Sequence, residues 1–306
     1  MKTAKLKKRT AGGKKLRAKY SRFRPQIRSR HGTHSILRVR GALPLMPFRS
    51  VIRFGSSTEL NDTVQKGGQR VEINSIQAIA NSSNKRRMKN CFKTANVRTA
   101  VWYLYQNGQL HDQINEQIVD LENLEFPIIA KQIYGSRGKG NTKLDSLSDF
   151  RVYIQGHSLN NVIFEKFYNF AREYRLHVTE DGCFYTCRKM MKRDTPDENK
   201  WYKNDDNCVW IMESNPDFDR PSNWDDVVKE SVKALKSCGL DFGAIDLRIQ
   251  SSTSPLPSFI VVEINSAPSF GTVTGDKYKL MLTKLLLKKS NETRKNNNRT
   301  GSSAVR

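Results

Sequence analysis

Positive charge in this chain is confined to its two ends, and that confinement limits what can fold. Residues 1–53 hold seventeen Lys or Arg and no Asp or Glu, and residues 284–306 hold seven basic residues against Glu292 alone. These two stretches account for the whole formal charge of +23, so residues 54–283 are formally neutral, like an ordinary folded domain. At 306 residues, 37% apolar and 27% charged, the chain has room for one large domain or two modest ones around a real core. That core has to come from the middle.

The opening stretch MKTAKLKKRTAGGKKLRAKYSRFRPQIRSR has too few large apolar residues to bury the surface that ordering demands. Residues 1–35 are expected to form a basic disordered arm and residues 284–306 a basic disordered tail. Both suit electrostatic attachment to a polyanion, either nucleic acid or an acidic surface. The arm makes a poor targeting peptide, because its lysines outnumber its serines and no apolar face develops. No apolar leader stretch precedes a small-residue cleavage site, and no run approaches the ~18 apolar residues of a membrane span. No membrane contact and a cytoplasmic location are the expectation. Five cysteines, an odd number scattered along the chain, argue against a disulfide framework.

Along the middle, SVIRFGSS (50–57) predicts a strand ending at Gly55. Two helical stretches follow, interrupted at Asn81-Ser82-Ser83. The second carries a stripe of Met88, Cys91, Phe92 and Ala95, with Ser83 or Asn84 as N-cap. FPIIAKQIYGSRGKGN (126–141) predicts a strand leading into a Gly-rich basic loop, and NVIFEKFYN another strand. REYRLHVTEDGCFYTCRKMM predicts a hairpin turning at Asp181-Gly182. Residues 193–221 are polar and predict a loop or lid. PSNWDDVVKESVKALKSCG predicts a helix from Ser222 to Gly239 with Val228, Val232 and Leu235 as its apolar stripe. Strands mixed with helices and hairpins place the fold class at α+β, or mixed α/β.

The two last strands, DFGAIDLRI and FIVVEIN, carry the chemistry. Strand side chains alternate faces with period two. Phe242, Ala244, Asp246 and Arg248 therefore share one face, and Gly243, Ile245, Leu247 and Ile249 the other. In the second strand Ile260, Val262 and Ile264 are expected to be dry, with Phe259, Val261, Glu263 and Asn265 opposite them. Paired as a meander, the strands bring Asp246, Glu263 and Asn265 onto one surface. Three hard oxygen donors with no His or Cys suit Mg²⁺ or Mn²⁺, while ordinary surface acids on a half-buried strand would look the same. Upstream, Lys131 precedes Gly135, Gly138 and Gly140, interleaved with Ser136, Arg137 and Lys139. Glycines let backbone N–H groups approach an anion, although a plain hairpin also has this composition. Lys85 sits in the first turn of a helix, where the dipole also favours anions.

In this order, SSNKRRMKNCFKTANVRT, FPIIAKQIYGSRGKG, VIFEKFYNFAREYRLHV, FYTCRKMMK, GLDFGAIDLRI and VVEINSAPSFG resemble the ATP-grasp superfamily. The resemblance spans about residues 74–275. It is closest to carboxylate–amine ligases of the ribosomal-protein glutamate ligase and D-alanine–D-alanine ligase kind, and INSIQAIANSSNK is similar to phage-encoded members. It implies two α+β subdomains clasping ATP over residues 81–283, after a short N-terminal region at 36–80. Lys85 and Lys131 are then the lysines on the ATP phosphates, and Ser136, Gly138 and Gly140 belong to the loop that closes over them. Glu165 and the backbone near Phe167 read the base, and Glu173 holds the ribose unless it pairs with Arg172 or Arg175. Asp246, Glu263 and Asn265 become ligands of Mg²⁺ or Mn²⁺. Arg188 stabilises the reacting acyl group, with Arg175 or Lys192 as helpers, or is a solvated hairpin residue. Dipeptide ligases carry Arg where this chain has Ala244, which favours the glutamate-ligase branch.

The activity implied is Mg-dependent ligation of a carboxylate to an amine through an acyl phosphate, with a peptide or protein tail among the candidate substrates. A kinase on the same fold, or a non-catalytic polyanion-binding protein, is the alternative. Nothing in the sequence selects an oligomeric state.

Overall fold

The computed structural model describes residues 28–29, 32–37, 50–57, 71–135, 140–204, 206–250, 258–268 and 272–302. The chain divides into two units, residues 1–79 with 267–306 and residues 80–266.

In the first unit β1 (Arg28–Ser29), β2 (Gly32–Leu37), β3 (Ser50–Arg53) and β4 (Val71–Ile73) pair in chain order. The β1–β2 pair is antiparallel and the other two pairs are parallel. Strand structure thus begins inside the stretch expected to be a disordered arm, because the ladder to β3 satisfies backbone groups that local sequence leaves open. The strand expected to end at Gly55 stops at Arg53. A helix at Thr272–Ser302 buries Tyr278, Met281, Leu282, Leu285 and Leu286, a spacing of three and four that forms one helical stripe. It runs on through residues expected to be tail, and Lys289 in that stretch donates to the Glu72 carbonyl at 3.1 Å. Among the described residues no helix is long and apolar enough to cross a membrane.

The first helix, α1 (Ile76–Ser83), passes into the second unit. The break before α2 (Lys85–Thr94) falls at Asn84, whose side chain accepts from Arg87 N at 2.9 Å and caps α2. Patterning did not single out β5 (Trp102–Gln106), β6 (Gln109–Asp112) or β7 (Gln117–Val119). With β8 (Ile128–Gln132), β9 (Thr142–Leu144) and β10 (Val162–Lys166) they form a six-stranded sheet in the order β7-β6-β5-β10-β8-β9. One face carries Tyr103, Ile128, Ala130, Val162 and Phe164, covered by Phe150 and Tyr153 of α3 (Leu147–Gly156). Phe150 meets Phe164 edge-on at 5.2 Å. The other face carries Trp102, Ile129, Lys131, Ile163 and Glu165.

A five-stranded antiparallel sheet follows in the order β13-β12-β11-β14-β15: β11 (Arg172–Thr179), β12 (Gly182–Met191), β13 (Cys208–Met212), β14 (Phe242–Ile249) and β15 (Phe259–Asn265). The hairpin turns through Glu180 and Asp181, one residue earlier than expected, with Gly182 at φ +129° already paired to Thr179. The strand β13 lies inside the segment expected to be loop. The helix α4 (Trp224–Ser237) covers the sheet, and its buried side chains are Val227, Glu230, Ser231, Ala234 and Leu235 rather than a stripe through Val228 and Val232. Glu230 is tolerated on that buried face because it accepts from Arg98 N at 2.6 Å. Gly243 lets α4 come close: a Cβ there would stand 3.3 Å from Leu235 Cδ1 and from the Asn265 carbonyl.

The β14–β15 register pairs Ala244 with Asn265 and Asp246 with Glu263, then shifts, so that Leu247 pairs with Val261 and Ile249 with Phe259. The bulge at Val262 overturns strict alternation at the start of β15. Phe259 and Val261 join Ile264 on the dry face, and Ile260 moves to the polar one. Val261→Ala is therefore expected to cost roughly 2 kcal/mol in urea unfolding and Val262→Ala clearly less. The reverse order would contradict the bulge.

Candidate active site

Cross-strand partners share a face, so the ladder of the five-stranded sheet lists what gathers opposite α4. That face carries Glu173 and Arg175 from β11, Lys189 from β12, Trp210 from β13, Asp246 and Arg248 from β14, and Glu263 and Asn265 from β15. Arg175 grips Asp246 with two parallel bonds of 2.6 and 2.7 Å. Lys189 bridges two acids, 2.5 Å from Glu173 and 3.1 Å from Asp246. Arg248 reaches Glu173 at 3.3 Å. Burial opposes ionisation of Asp246 and Glu173, but these cations outweigh it and hold both carboxyls below their ordinary range. Asn265 Nδ2 donates to Glu263 Oε1 at 3.3 Å, which leaves the amide oxygen as an acceptor.

The six-stranded sheet adds a second cluster. Lys131 lies 2.7 Å from one oxygen of Glu165, and Lys89 from α2 lies 3.3 Å from the other. Lys89 is fully buried, and Glu165 is 3% exposed. Burial pulls Lys89 down to about 8, only partly offset by Glu165. Burial pushes Glu165 up, but Lys131 and Lys89 reverse this and hold it at about 2. Lys89 also donates to Thr99 Oγ1 at 2.6 Å, and Thr99 Oγ1 donates to the Val261 carbonyl at 2.8 Å, so the lysine is anchored to β15. Glu263 is near enough for its charge to act on both Lys89 and Arg175. The two clusters therefore belong to one site.

Lys85 donates to the Gly135 carbonyl at 2.7 Å, beside the Gly-rich loop. Ser136 and Gly138 lie outside the described residues. Gly140 is at φ +76°, where glycine is favoured, and a Cβ there would meet Gln132 Cγ of β8 at 2.9 Å. Phe167 lines a cleft of about 310 Å³ with Phe170, Lys189, Trp201, Lys203 and Arg248. Two expected features are arranged differently. The Glu165 carboxylate is clamped by lysines instead of facing this cleft. Arg188 pairs across the strand with Tyr174, not with the acids, and binds Asp219 at 2.7 Å on the opposite face. Lys192 donates to the Asp206 carbonyl at 2.5 Å. Sequence reading missed Lys89, Lys189 and Trp210. Alternation from Arg175 across the hairpin was the available signal for Lys189. Lys89 next to the apolar Met88 was the only hint for the buried lysine.

Among the described residues no three His, Cys, Asp or Glu side chains form a self-contained cation cage. The donor set still fits Mg²⁺ or Mn²⁺: Asp246 and Glu263 face each other across one rung, Asn265 is next to them, and all are hard oxygen donors. Such an ion would complete its shell with water or substrate oxygens.

No protein-family model matches the sequence, and no curated protein matches it. Solved structures do match. The crystal structure of D-alanine–D-alanine ligase from Bacillus anthracis complexed with ATP is 13% identical, with a TM-score of 0.54 over 81% of this chain and 82% of that one. Carboxyaminoimidazole ribonucleotide synthase from Aspergillus clavatus complexed with ATP is 17% identical, with a TM-score of 0.50 over 72% of this chain and 53% of that one. The ATP-grasp ligase PsnB complexed with minimal precursor is 16% identical, with a TM-score of 0.49; this chain spans 65% of its length. The chain has the ATP-grasp fold, in the α+β class its sequence implied.

Glu165→Ala would leave two lysines facing each other out of water, one of them fully buried. It is expected to cost about 3–5 kcal/mol in denaturant unfolding. A loss below about 1 kcal/mol would mean the clamp is not holding the site together.

Proposed function

We infer that the protein is an ATP-dependent carboxylate–amine ligase. The observation that supports this best is the charge pattern of the site. The cations Lys85, Lys89, Lys131, Arg175, Lys189 and Arg248 outnumber the acids Glu165, Glu173, Asp246 and Glu263. A site with excess positive charge, three hard oxygen donors and an aromatic-walled cleft at one end suits a nucleoside triphosphate with its metal.

In this reading Phe167 and Trp201 wall the base, and Glu173 lies at the ribose. Lys89 and Lys131 hold the phosphates in line, joined by Lys85 and the loop of Ser136, Gly138 and Gly140. Asp246, Glu263 and Asn265 would hold Mg²⁺ or Mn²⁺, which would supply charge neutralisation for the phosphates. The γ-phosphoryl group passes to a carboxylate, and an amine displaces phosphate to leave an amide, ADP and inorganic phosphate. Arg175, on the site face, takes the role expected of Arg188 and stabilises the oxyanion as the amine adds. Ala244 sits opposite Asn265 and two residues before Asp246, where dipeptide ligases carry Arg. On this ground we assign the chain to the glutamate-ligase-like branch, with the short N-terminal region of its phage-encoded members, acting in the host cytoplasm. The basic ends at 1–35 and 284–306 would steer an acidic protein tail to the site.

Glu263→Ala is expected to cut ADP formation by about 100-fold or more while leaving the folded spectrum intact. ADP formed at the parent rate would sink the assignment, and a stable phosphorylated product without free phosphate would indicate a kinase. Lys89 provides a second check. It is partly neutral at pH 8 in the free protein and meets negative charge when phosphates bind, so binding raises its pKa. Calorimetry near pH 8 in buffers of different ionisation enthalpy should read proton uptake on nucleotide binding, and Lys89→Met should abolish it. Proton release instead would contradict the placement of Lys89.

A further inference from the structure

The acids meant for a metal are already engaged. Arg175 holds both oxygens of Asp246, and Lys189 shares Oδ2 while also binding Glu173. Trp210 lies beneath both cations, its ring centroid 4.8 Å from the Arg175 guanidinium carbon and 5.3 Å from Lys189 Nζ. An indole face attracts cations and steadies them where they are. With Arg248 included, three cations face Glu173, Asp246 and Glu263, so this face is balanced before any ion arrives. A divalent cation needs the same Asp246 oxygens. Were it to enter alone, it would strand Arg175, 12% exposed, beside a doubly charged ion and leave Lys189, 7% exposed, with Glu173 alone.

We propose that Arg175 and Lys189 are parked counter-ions that exclude a bare divalent cation from Asp246, and that nucleotide phosphates release the site by giving both cations a second anion. The proposal rests on the ligase reading above and adds the order in which its ligands enter. A nucleoside triphosphate carries more negative charge than one divalent ion neutralises. Phosphate and metal therefore arrive with enough anion to satisfy the displaced side chains. Each raises the affinity of the other, by the same factor in both directions. The release also frees Arg175 from Asp246, as it must be if it is to reach a reacting acyl group. Arg175 and Lys189 act here as positioning residues, with Trp210 as their rest.

Manganese titration followed by the electron paramagnetic resonance of free Mn²⁺ tests this, with circular dichroism confirming that each protein is folded. The parent protein alone should bind Mn²⁺ at least tenfold more weakly than with a non-hydrolysable ATP analogue, after correction for the Mn²⁺–analogue complex in solution. Arg175→Gln alone should gain at least tenfold in Mn²⁺ affinity over the parent alone, and Lys189→Gln a smaller factor. Parent binding that is equally tight with and without the analogue overturns the proposal, as does a folded Arg175→Gln that gains nothing. Calorimetry of the parent needs no variant: a Tm that rises as much with Mg²⁺ alone as with Mg²⁺ and the analogue, relative to the analogue alone, also overturns it. The two readings fail separately. Nucleotide-independent metal binding sinks the order of entry and leaves the ligase reading standing. No metal binding in any condition, analogue included, removes both.

Discussion

Carboxylates taken out of water have to be compensated, and the second unit is arranged around that requirement. Glu165, Glu173 and Asp246 are each at most 6% exposed, and each is met by at least two cationic side chains. Replacing such groups by apolar residues of similar shape is often neutral or stabilising, so buried ion pairs are weak as a stability device. Their concentration on one face is better understood as chemistry kept ready, with each charge held in place by its neighbours.

The sheets supply the precision. Each has one face closed by a helix, α3 on the six-stranded sheet and α4 on the five-stranded sheet; on the other face of the five-stranded sheet polar side chains collect, and on that of the six-stranded sheet Lys131 and Glu165 sit among Trp102, Ile129 and Ile163. The relay from Lys89 through Thr99 to the Val261 carbonyl ties the buried lysine to the strand that carries Glu263. The bulge at Val262 resolves a conflict inside that strand. Phe259 and Val261 need to be dry, Glu263 and Asn265 need to reach the site, and strict alternation cannot do both while keeping Ile264 buried. One extra residue changes the phase between the two halves.

The same balance that stabilises the empty site also sets the terms on which ligands enter it. Around Glu165 positive charge is in excess, which suits phosphate. Around Asp246 charge is already matched, so an incoming cation has to arrive with an anion.

Much of this was legible in the sequence. Period-two alternation placed Asp246 with Arg248 and Glu263 with Asn265, because strand geometry dictates faces from spacing alone. Asn84 announced its helix, because an N-cap needs only its own side chain and the next turn. The net-neutral middle and the basic ends came directly from composition. The partners of each charge did not. Arg175 and Asp246 are 71 positions apart, Lys131 and Glu165 are 34 apart, and Arg188, one residue from Lys189, falls on the wrong side of the sheet for the acids. Local periodicity says which side chains share a face; only the pairing of distant strands, bulges included, decides which charges meet. Which lysine is buried, which arginine holds the aspartate, and where Val261 points were therefore settled by the tertiary structure, since those energies exist only between segments that the folded sheet brings together.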